Sequence, residues 1–249
     1  MAAILFISDL QKDSYKIGIL KSEIYTQFPE DVIIDITHSI RLNNTIEAAF
    51  ICKQLPENPK GGNIYLNLVG SKKNLVAYVH QENLYIFPNN GLIGMVLETL
   101  NQDEVYMVPS SGYLNCIEAF KKNKMNGLPK AGAQLKLSYN KSVQINGDIA
   151  FAECIFIDAL GNCYFNLTET QFNEFIGNSD FKIRMQHYLG QSFNRIGKHI
   201  TDVIPGSAII TFSRNGYLCL QINMGNAKQL FRIKDDTKII IERQWYSVL

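Results

Sequence analysis

What this sequence lacks narrows it before any motif is read. No apolar run approaches the roughly 20 residues that cross a bilayer. The start of the chain has no basic-then-apolar leader layout, so a cytoplasmic protein with no membrane partner is expected. No charge of one sign dominates: 24 Lys and Arg stand against 23 Asp and Glu, for a net charge of +1. There is no basic stripe to argue for nucleic acid and no acidic tail. The five cysteines (52, 116, 154, 163, 219) are odd in number and never spaced C-x-x-C. That fits a reducing compartment in which thiols act as small apolar side chains. The four histidines (38, 80, 187, 199) have no zinc-ligand spacing, so no metal site is expected. There is no G-x-S-x-G, no cysteine in a catalytic frame, no internal repeat and no low-complexity stretch.

What is there begins with the first strand and the turn after it. Ile4 to Ile7 reads as a short strand buried on both faces. Asp9 lies just past its end, and Asp13 or Ser14 can cap a helix over about residues 15–28, with Ile17, Leu20, Ile24 and Phe28 on its apolar face. In open α/β sheets, ligands bind outside the carboxyl ends of the strands, which is where Asp9, Asp13 and Ser14 fall. The turn has neither G-x-G-x-x-G nor G-x-x-x-x-G-K, so a cradled phosphate is not expected there. An acceptor-rich turn suits a hydroxylated or cationic ligand, although Asp9 and Asp13 also fit as plain turn and cap residues.

Strand and helix signals alternate up to about residue 108. A second buried strand is expected over 32–37, ending at His38, and then a helix over 44–55 with Ile46, Ala49, Phe50 and Lys53 along one side. A third strand over 63–68 is followed by a hairpin, 75–80 and 84–87, turning through Gln81-Glu82-Asn83. After the turn Pro88-Asn89-Asn90-Gly91 come a helix over 92–100, a strand over 105–108 and a helix over 109–123. Such alternation implies a mainly parallel sheet flanked by helices. A linker is placed within 127–142. Beyond it, short strands at 149–157, 163–167, 181–185, 208–212, 217–222 and 238–245, with short helices at 169–175 and 227–230, imply a smaller, mostly antiparallel β domain. The expected domains are 1–135 and 143–249. His38 could act as a general base, or have its ring nitrogens tied to backbone.

The second half holds one pointed feature, Asp158-Ala159-Leu160-Gly161-Asn162, between two strand runs. It is either a tight hairpin turn or a polar edge for a nucleobase. In the second case the Asn162 amide would donate and accept, and Leu160 or Tyr164 would cover the base face. The turn Asn223-Met224-Gly225-Asn226-Ala227 could offer backbone groups to the same ligand.

Taken together these stretches resemble the S-adenosylmethionine (SAM) hydroxide adenosyltransferases, or SAM hydrolases, which are relatives of the fluorinating and chlorinating SAM enzymes. The carriers are Ser8-Asp9-Leu10, Asp13-Ser14-Tyr15, Ile34 to Ile40 (IDITHSI), Ala48-Ala49-Phe50, Pro88 to Leu92 (PNNGL), Asp158 to Asn162 with Asn166, and Gly216-Tyr217-Leu218 with Asn223 to Ala227. The resemblance covers nearly the whole chain. It implies an N-terminal α/β domain, a C-terminal β domain and a homotrimer. SAM, or adenosine, would lie between subunits as the only small-molecule ligand, with no cofactor beyond it. Carried over, Asp9 would hold the ribose hydroxyls, Asp13 and Ser14 would face the methionine end, and Asp158 would bind its ammonium. Asn162, Asn226 and Ala227 would read adenine, with Leu160 in place of a stacking aromatic, and Arg214 would meet the carboxylate.

The chain departs from the family at the reacting atoms. Family hydrolases use an Asp, an Arg and a His to activate water. Asn67 stands nearest the Asp position, and an amide accepts no proton at neutral pH. Lys72 or Lys73 stands in for the Arg without its rigid fork. The stretch Pro109-Ser110-Ser111-Gly112-Tyr113 has no histidine, which leaves Ser71, Ser111 and Asn67 to hold a nucleophile. Two functions follow. One is attack of water on C5′ of SAM to give adenosine and methionine. The other is a catalytically silent SAM or adenosine binder. A scaffold that has lost the site is a third.

Overall fold

The structure, a computed structural model, describes residues 1–56, 60–70, 74–97 and 99–244. The chain divides into two compact units, Met1–Tyr139 and Asn140–Leu249.

In the first unit, strand β1 (Ala3–Ile7) is buried on both faces because its side chains alternate between two cores. Ile4 and Phe6 pack with Ile17 and Ile24 of helix α1 (Tyr15–Gln27), while Leu5 and Ile7 pack with Ala48, Ala49 and Cys52 of helix α2 (Thr45–Gln54). Strands β2 (Val32–Thr37), β3 (Ile64–Asn67), β4 (Asn74–His80), β5 (Asn83–Pro88) and β6 (Tyr106–Pro109) complete a six-stranded sheet in the order β2-β1-β3-β5-β4-β6. Helix α3 (Leu92–Val96) joins α2 on one face, and α4 (Tyr113–Lys121) joins α1 on the other.

This sheet is mixed rather than mainly parallel. β2, β1, β3 and β5 run parallel, but β4 is antiparallel to both β5 and β6. The cause is the two-residue turn at Gln81 and Glu82, both with positive φ, which can join only antiparallel strands. The second strand, expected to be buried, is the sheet's edge. It pairs with β1 alone, and Val32 and Ile34 are 48% and 42% exposed. A run of β-branched residues cannot tell an edge from an interior strand, because that is decided by neighbours distant in sequence. On α2 the buried side is Ala48, Ala49, Phe50 and Cys52, and Ile46 points outward. Helix α3 stops at Val96, four residues short of its expected end, and α4 starts only after a 3-10 turn at Ser110–Gly112.

The second unit is a wholly antiparallel sheet in the order β11-β10-β14-β8-β9-β13-β12, with β7 (Gln144–Asn146) beside β8. The strands are β8 (Ile149–Ile157), β9 (Cys163–Thr168), β10 (Asp180–Met185), β11 (Tyr188–Phe193), β12 (Ala208–Phe212), β13 (Tyr217–Ile222) and β14 (Lys238–Gln244). The nine-residue β8 joins the two halves: residues 149–153 pair with β14, and 154–157 pair with β9 across an irregularity. Its inward Ala150, Ala152 and Cys154 alternate into one core with Phe165, Leu167, Ile239 and Ile241. Helix α5 (Glu169–Ile176) starts on a capping box of Thr168 and Gln171, and α6 (Ala227–Leu230) starts on Asn226. β7 and β11 were not expected from the sequence, and Trp245, placed in the last strand, lies outside the described residues. Among the described residues no helix is long and apolar enough to cross a membrane.

Candidate functional site

The carboxyl edge of the first sheet collects several of the polar residues singled out from the sequence. β1, β2, β3 and β5 are parallel, and β6, antiparallel to the antiparallel β4, runs the same way. Their ends therefore bring Asp9, His38, the 67–70 loop, the 88–91 turn and Ser111 to one edge.

Asp9 is almost fully buried, at 8% exposure, and acts as a clamp. Its Oδ2 accepts from the backbone N–H of Asn43 at 2.8 Å and of Gly70 at 3.0 Å, tying the loop after β2 to the loop after β3. Both bound residues line an open cavity of about 720 Å³, together with Thr45, Asn74, Pro88, Asn89, Asn90 and Lys136. Asn90 braces it by donating from Nδ2 to the Val69 carbonyl at 3.0 Å. The 88–91 turn requires its glycine: Gly91 has φ 97°, and a Cβ there would lie 2.3 Å from Ser138 Oγ. Asn43, Thr45, Asn74 and Lys136 escaped the sequence reading, because none lies in a motif and only the assembled edge brings them together. The 89–90 asparagines did show, as part of PNNGL.

Asn67 does not face that cavity as a nucleophile holder would. It is 1% exposed and spent at both ends: Oδ1 accepts from Val69 N at 2.9 Å, and Nδ2 donates to Cys52 Sγ at 3.3 Å. Burial pushes that thiol up to about 12. Ser111 is exposed at the start of α4, and Asp13 is exposed as well. Ser14 holds the N-cap position of α1, but its hydroxyl makes no cap bond. It lines a second hollow of about 620 Å³ with Lys12, Lys21, Asp35 and His38. Ser71, Lys72 and Lys73 lie outside the described residues.

One ring nitrogen of His38 is hydrogen-bonded to a side chain, not to backbone as one reading had it, and the other lies near a carboxylate without a hydrogen bond. Its Nδ1 lies 2.8 Å from Ser8 Oγ, and its Nε2 lies 3.3 Å from Asp35 Oδ1, which in turn pairs with Lys21. Burial works against the charge on Asp35, but Lys21 and His38 outweigh it and hold the carboxyl below its usual value. The arrangement has the residue types of a hydrolytic triad without its function. Ser8 is 0% exposed, so no substrate reaches its hydroxyl.

In the second unit the expected polar rim forms around one carboxylate. Asp158 Oδ1 accepts from Leu160 N and Asn162 N, both at 2.9 Å. Its Oδ2 accepts from Asn162 Nδ2 at 2.9 Å and from the Tyr164 hydroxyl at 3.2 Å. Burial, then Cys219 and Asp158 beside it, push the Tyr164 phenol up, so it remains a donor. The turn docks on the start of α6. Lys228 N donates to the Gly161 carbonyl at 2.9 Å, and Asn226 Oδ1, which accepts from Gln229 N, sits against Gly161. Ala227 is fully buried, and Leu160 stands 72% exposed beside the turn. Asp158, Leu160, Asn162, Tyr164, Asn226 and Ala227 are thus gathered in one place. Arg214 is not. Cys163 pairs with Leu220 at one end of β13, and Thr168 pairs with Tyr217 at the other, so the turn carrying Arg214 lies at the far end of the sheet from Asp158.

Residues 4–126 match the SAM hydroxide adenosyltransferase N-terminal domain, and residues 152–240 match the C-terminal domain of the same family. The chain belongs to the SAM hydroxide adenosyltransferase family. A SAM-directed, hydrolase-like function follows from carrying both of that family's domains. Two solved structures share the fold: an uncharacterized conserved protein from Thermotoga maritima (19% identity, TM-score 0.74, covering 96% of this chain and 100% of that one) and a conserved hypothetical protein from Thermus thermophilus (18%, 0.70, 98% and 100%). Asp9 and the Asp158–Asn162 turn are each held in a hydrogen-bonded frame. Asn67 is a sequestered amide, and Ser111 is an exposed serine.

Proposed function

We propose that the protein binds SAM and transfers its adenosyl group to water without a side-chain base. The oxygen of a bound water attacks C5′, the C5′–S bond breaks with its electron pair going to sulfur, and the water's proton leaves to solvent. The products are adenosine and neutral methionine. A sulfonium is already a good leaving group, so positioning and exclusion of bulk water carry the rate. The observation behind this reading is the match to both domains of the family, with Asp9 and the Asp158–Asn162 turn each held in a hydrogen-bonded frame.

The proposed roles follow the frame. Asp9 takes the ribose hydroxyls with the oxygen not spent on Asn43 and Gly70, and Asp13 and Ser14 face the methionine end. In place of the ammonium contact that the resemblance implies, Asp158, with four bonds inside its own turn, orients Asn162, whose Oδ1 accepts from the adenine amino group while Leu160 covers the base. Asn226 and Ala227 shape the floor. We further propose a cytoplasmic homotrimer in which one ligand is held by the first unit of one copy and the second unit of a neighbour. Light scattering that returns a monomer rules the trimer out.

Purified protein incubated with SAM should release adenosine and methionine above a heat-killed control, read by chromatography. A second reading, a silent SAM or adenosine sensor, is favoured by the sequestration of Asn67. It predicts a rise in melting temperature with either ligand and no product.

A further inference from the structure

We propose that the first unit carries a second small-molecule site, at the amino edge of its sheet, that takes a free α-amino acid with an apolar side chain. The inference is independent of the nucleoside reading. The site is a hollow of about 310 Å³ where β4 ends, β6 begins and α4 gives way to the loop after it. Asp9 follows the other end of β1, so the two cavities stand at opposite ends of the strands. A volume of this size is at the small end of ligand pockets and fits one amino acid.

The hollow is apolar on Val79, Phe120 and Met125 and carries two charged residues, Glu104 and Lys130. Among the described residues neither forms an ion pair, with the other or with any third side chain. An ammonium and a carboxylate that line one hollow without meeting suit a ligand that bears both charges itself. A zwitterion between them neutralises both, whereas a simple anion or cation leaves one of them facing a like charge. Both groups are also held. The Lys130 Nζ sits 3.8 Å from the centre of the Tyr106 ring, a cation–π contact. Its backbone is fixed opposite Tyr106, because Met107 N donates to the Pro129 carbonyl and Ala131 N to the Val105 carbonyl, each at 2.8 Å. Tyr106 is only 6% exposed, and its hydroxyl donates to Asn126 Oδ1 at 3.0 Å. That leaves Asn126 Nδ2 to donate to a carboxylate beside the Lys130 ammonium. Glu104 ends a 3-10 turn capped by Asn101 and precedes Tyr106 by two residues, with Val105 between them packed into the opposite core. The ligand's carboxylate thus meets Lys130 and Asn126, its ammonium meets Glu104, and its side chain lies on Val79, Phe120 and the adaptable thioether of Met125.

The test is an NMR titration of wild type, Glu104→Gln and Lys130→Gln, with Lys124→Gln as a surface control, read on the side-chain N–H signals of Asn126. The probes are leucine, methionine, N-acetyl-leucine, which has no ammonium, and leucinamide, which has no carboxylate. In wild type both amino acids move the signals, and each blocked form binds about tenfold more weakly, the size of one charge-assisted bond. Glu104→Gln loses the preference over N-acetyl-leucine and keeps that over leucinamide. Lys130→Gln does the reverse, and Lys124→Gln alters neither. Structural damage would weaken all four probes alike, so it does not give this crossed pattern. A wild type whose Asn126 signals ignore leucine and methionine overturns the site, and so do preferences that survive in both variants. No nucleoside enters the titration, so its failure leaves the nucleoside reading standing, and failure of that reading leaves this one.

Discussion

Asp9 and Asp158 each follow the end of a strand, and the protein uses them in opposite ways. Asp9 binds backbone 34 and 61 residues away, so its environment exists only when three strands of the sheet have assembled. Asp158 finds all four of its partners within six residues, inside one hairpin and its turn. One rim is a product of tertiary structure, and the other is close to a local motif.

The largest expected effect tests the first half of that contrast. Asp9→Ala removes the carboxylate that accepts from the N–H groups of Asn43 and Gly70, two part-buried bonds to a charged group worth about 1.5–3 kcal/mol each. Urea unfolding should show a loss of about 3 kcal/mol. A loss below about 0.5 kcal/mol would mean that water replaces the carboxylate and that the clamp is dispensable. Next in size is Gly161→Ala. The glycine has φ 83°, and a Cβ would lie 2.2 Å from Asn226 Oδ1. About 2 kcal/mol of stability should go, and adenosine affinity with it, because the turn can no longer rest on α6. An Ala variant that binds adenosine normally would sever the turn from the site.

Smaller effects sharpen the picture. The carboxyl of Asp35 lies below its ordinary value of 3.8, so its contribution is fully present above that pH and is lost as the pH falls beneath it. Lys21→Met should therefore lower stability near neutrality by only a few tenths of a kcal/mol, since the pair is well exposed, and the gap to wild type should close in acid. A gap that persists unchanged well below pH 3.8, where the carboxyl is protonated in both states, would assign the effect to packing. The smallest effect expected is that of Arg214→Ala. Because its turn lies at the far end of β13 from Asp158, SAM affinity should stay within about twofold of wild type, or about 0.4 kcal/mol. A tenfold loss would return Arg214 to the ligand.

How much of this was legible in the sequence follows the same local and non-local divide. The β8, β12 and β13 strands and the short α6 were readable residue by residue, since alternation and flanking turn residues decide them. The hairpin whose turn makes the first sheet mixed was read to within one residue at each strand end, with Asn83 placed in the turn rather than in the strand. The edge position of β2, the outward face of Ile46 and the inward, spent amide of Asn67 were not, because each depends on which distant element packs against it. At the candidate site, the Asp158–Asn162 turn was visible as a motif. The cavity residues Asn43, Asn74 and Lys136 were not, since nothing in their neighbourhoods marks them.

The most direct test of the account is isotopic. Wild-type protein is given SAM in water enriched in oxygen-18, and the nucleoside released is weighed by mass spectrometry. The account predicts adenosine carrying the heavy oxygen at its 5′ position in step with methionine release. Intact SAM after prolonged incubation, or adenosine without the label, contradicts it.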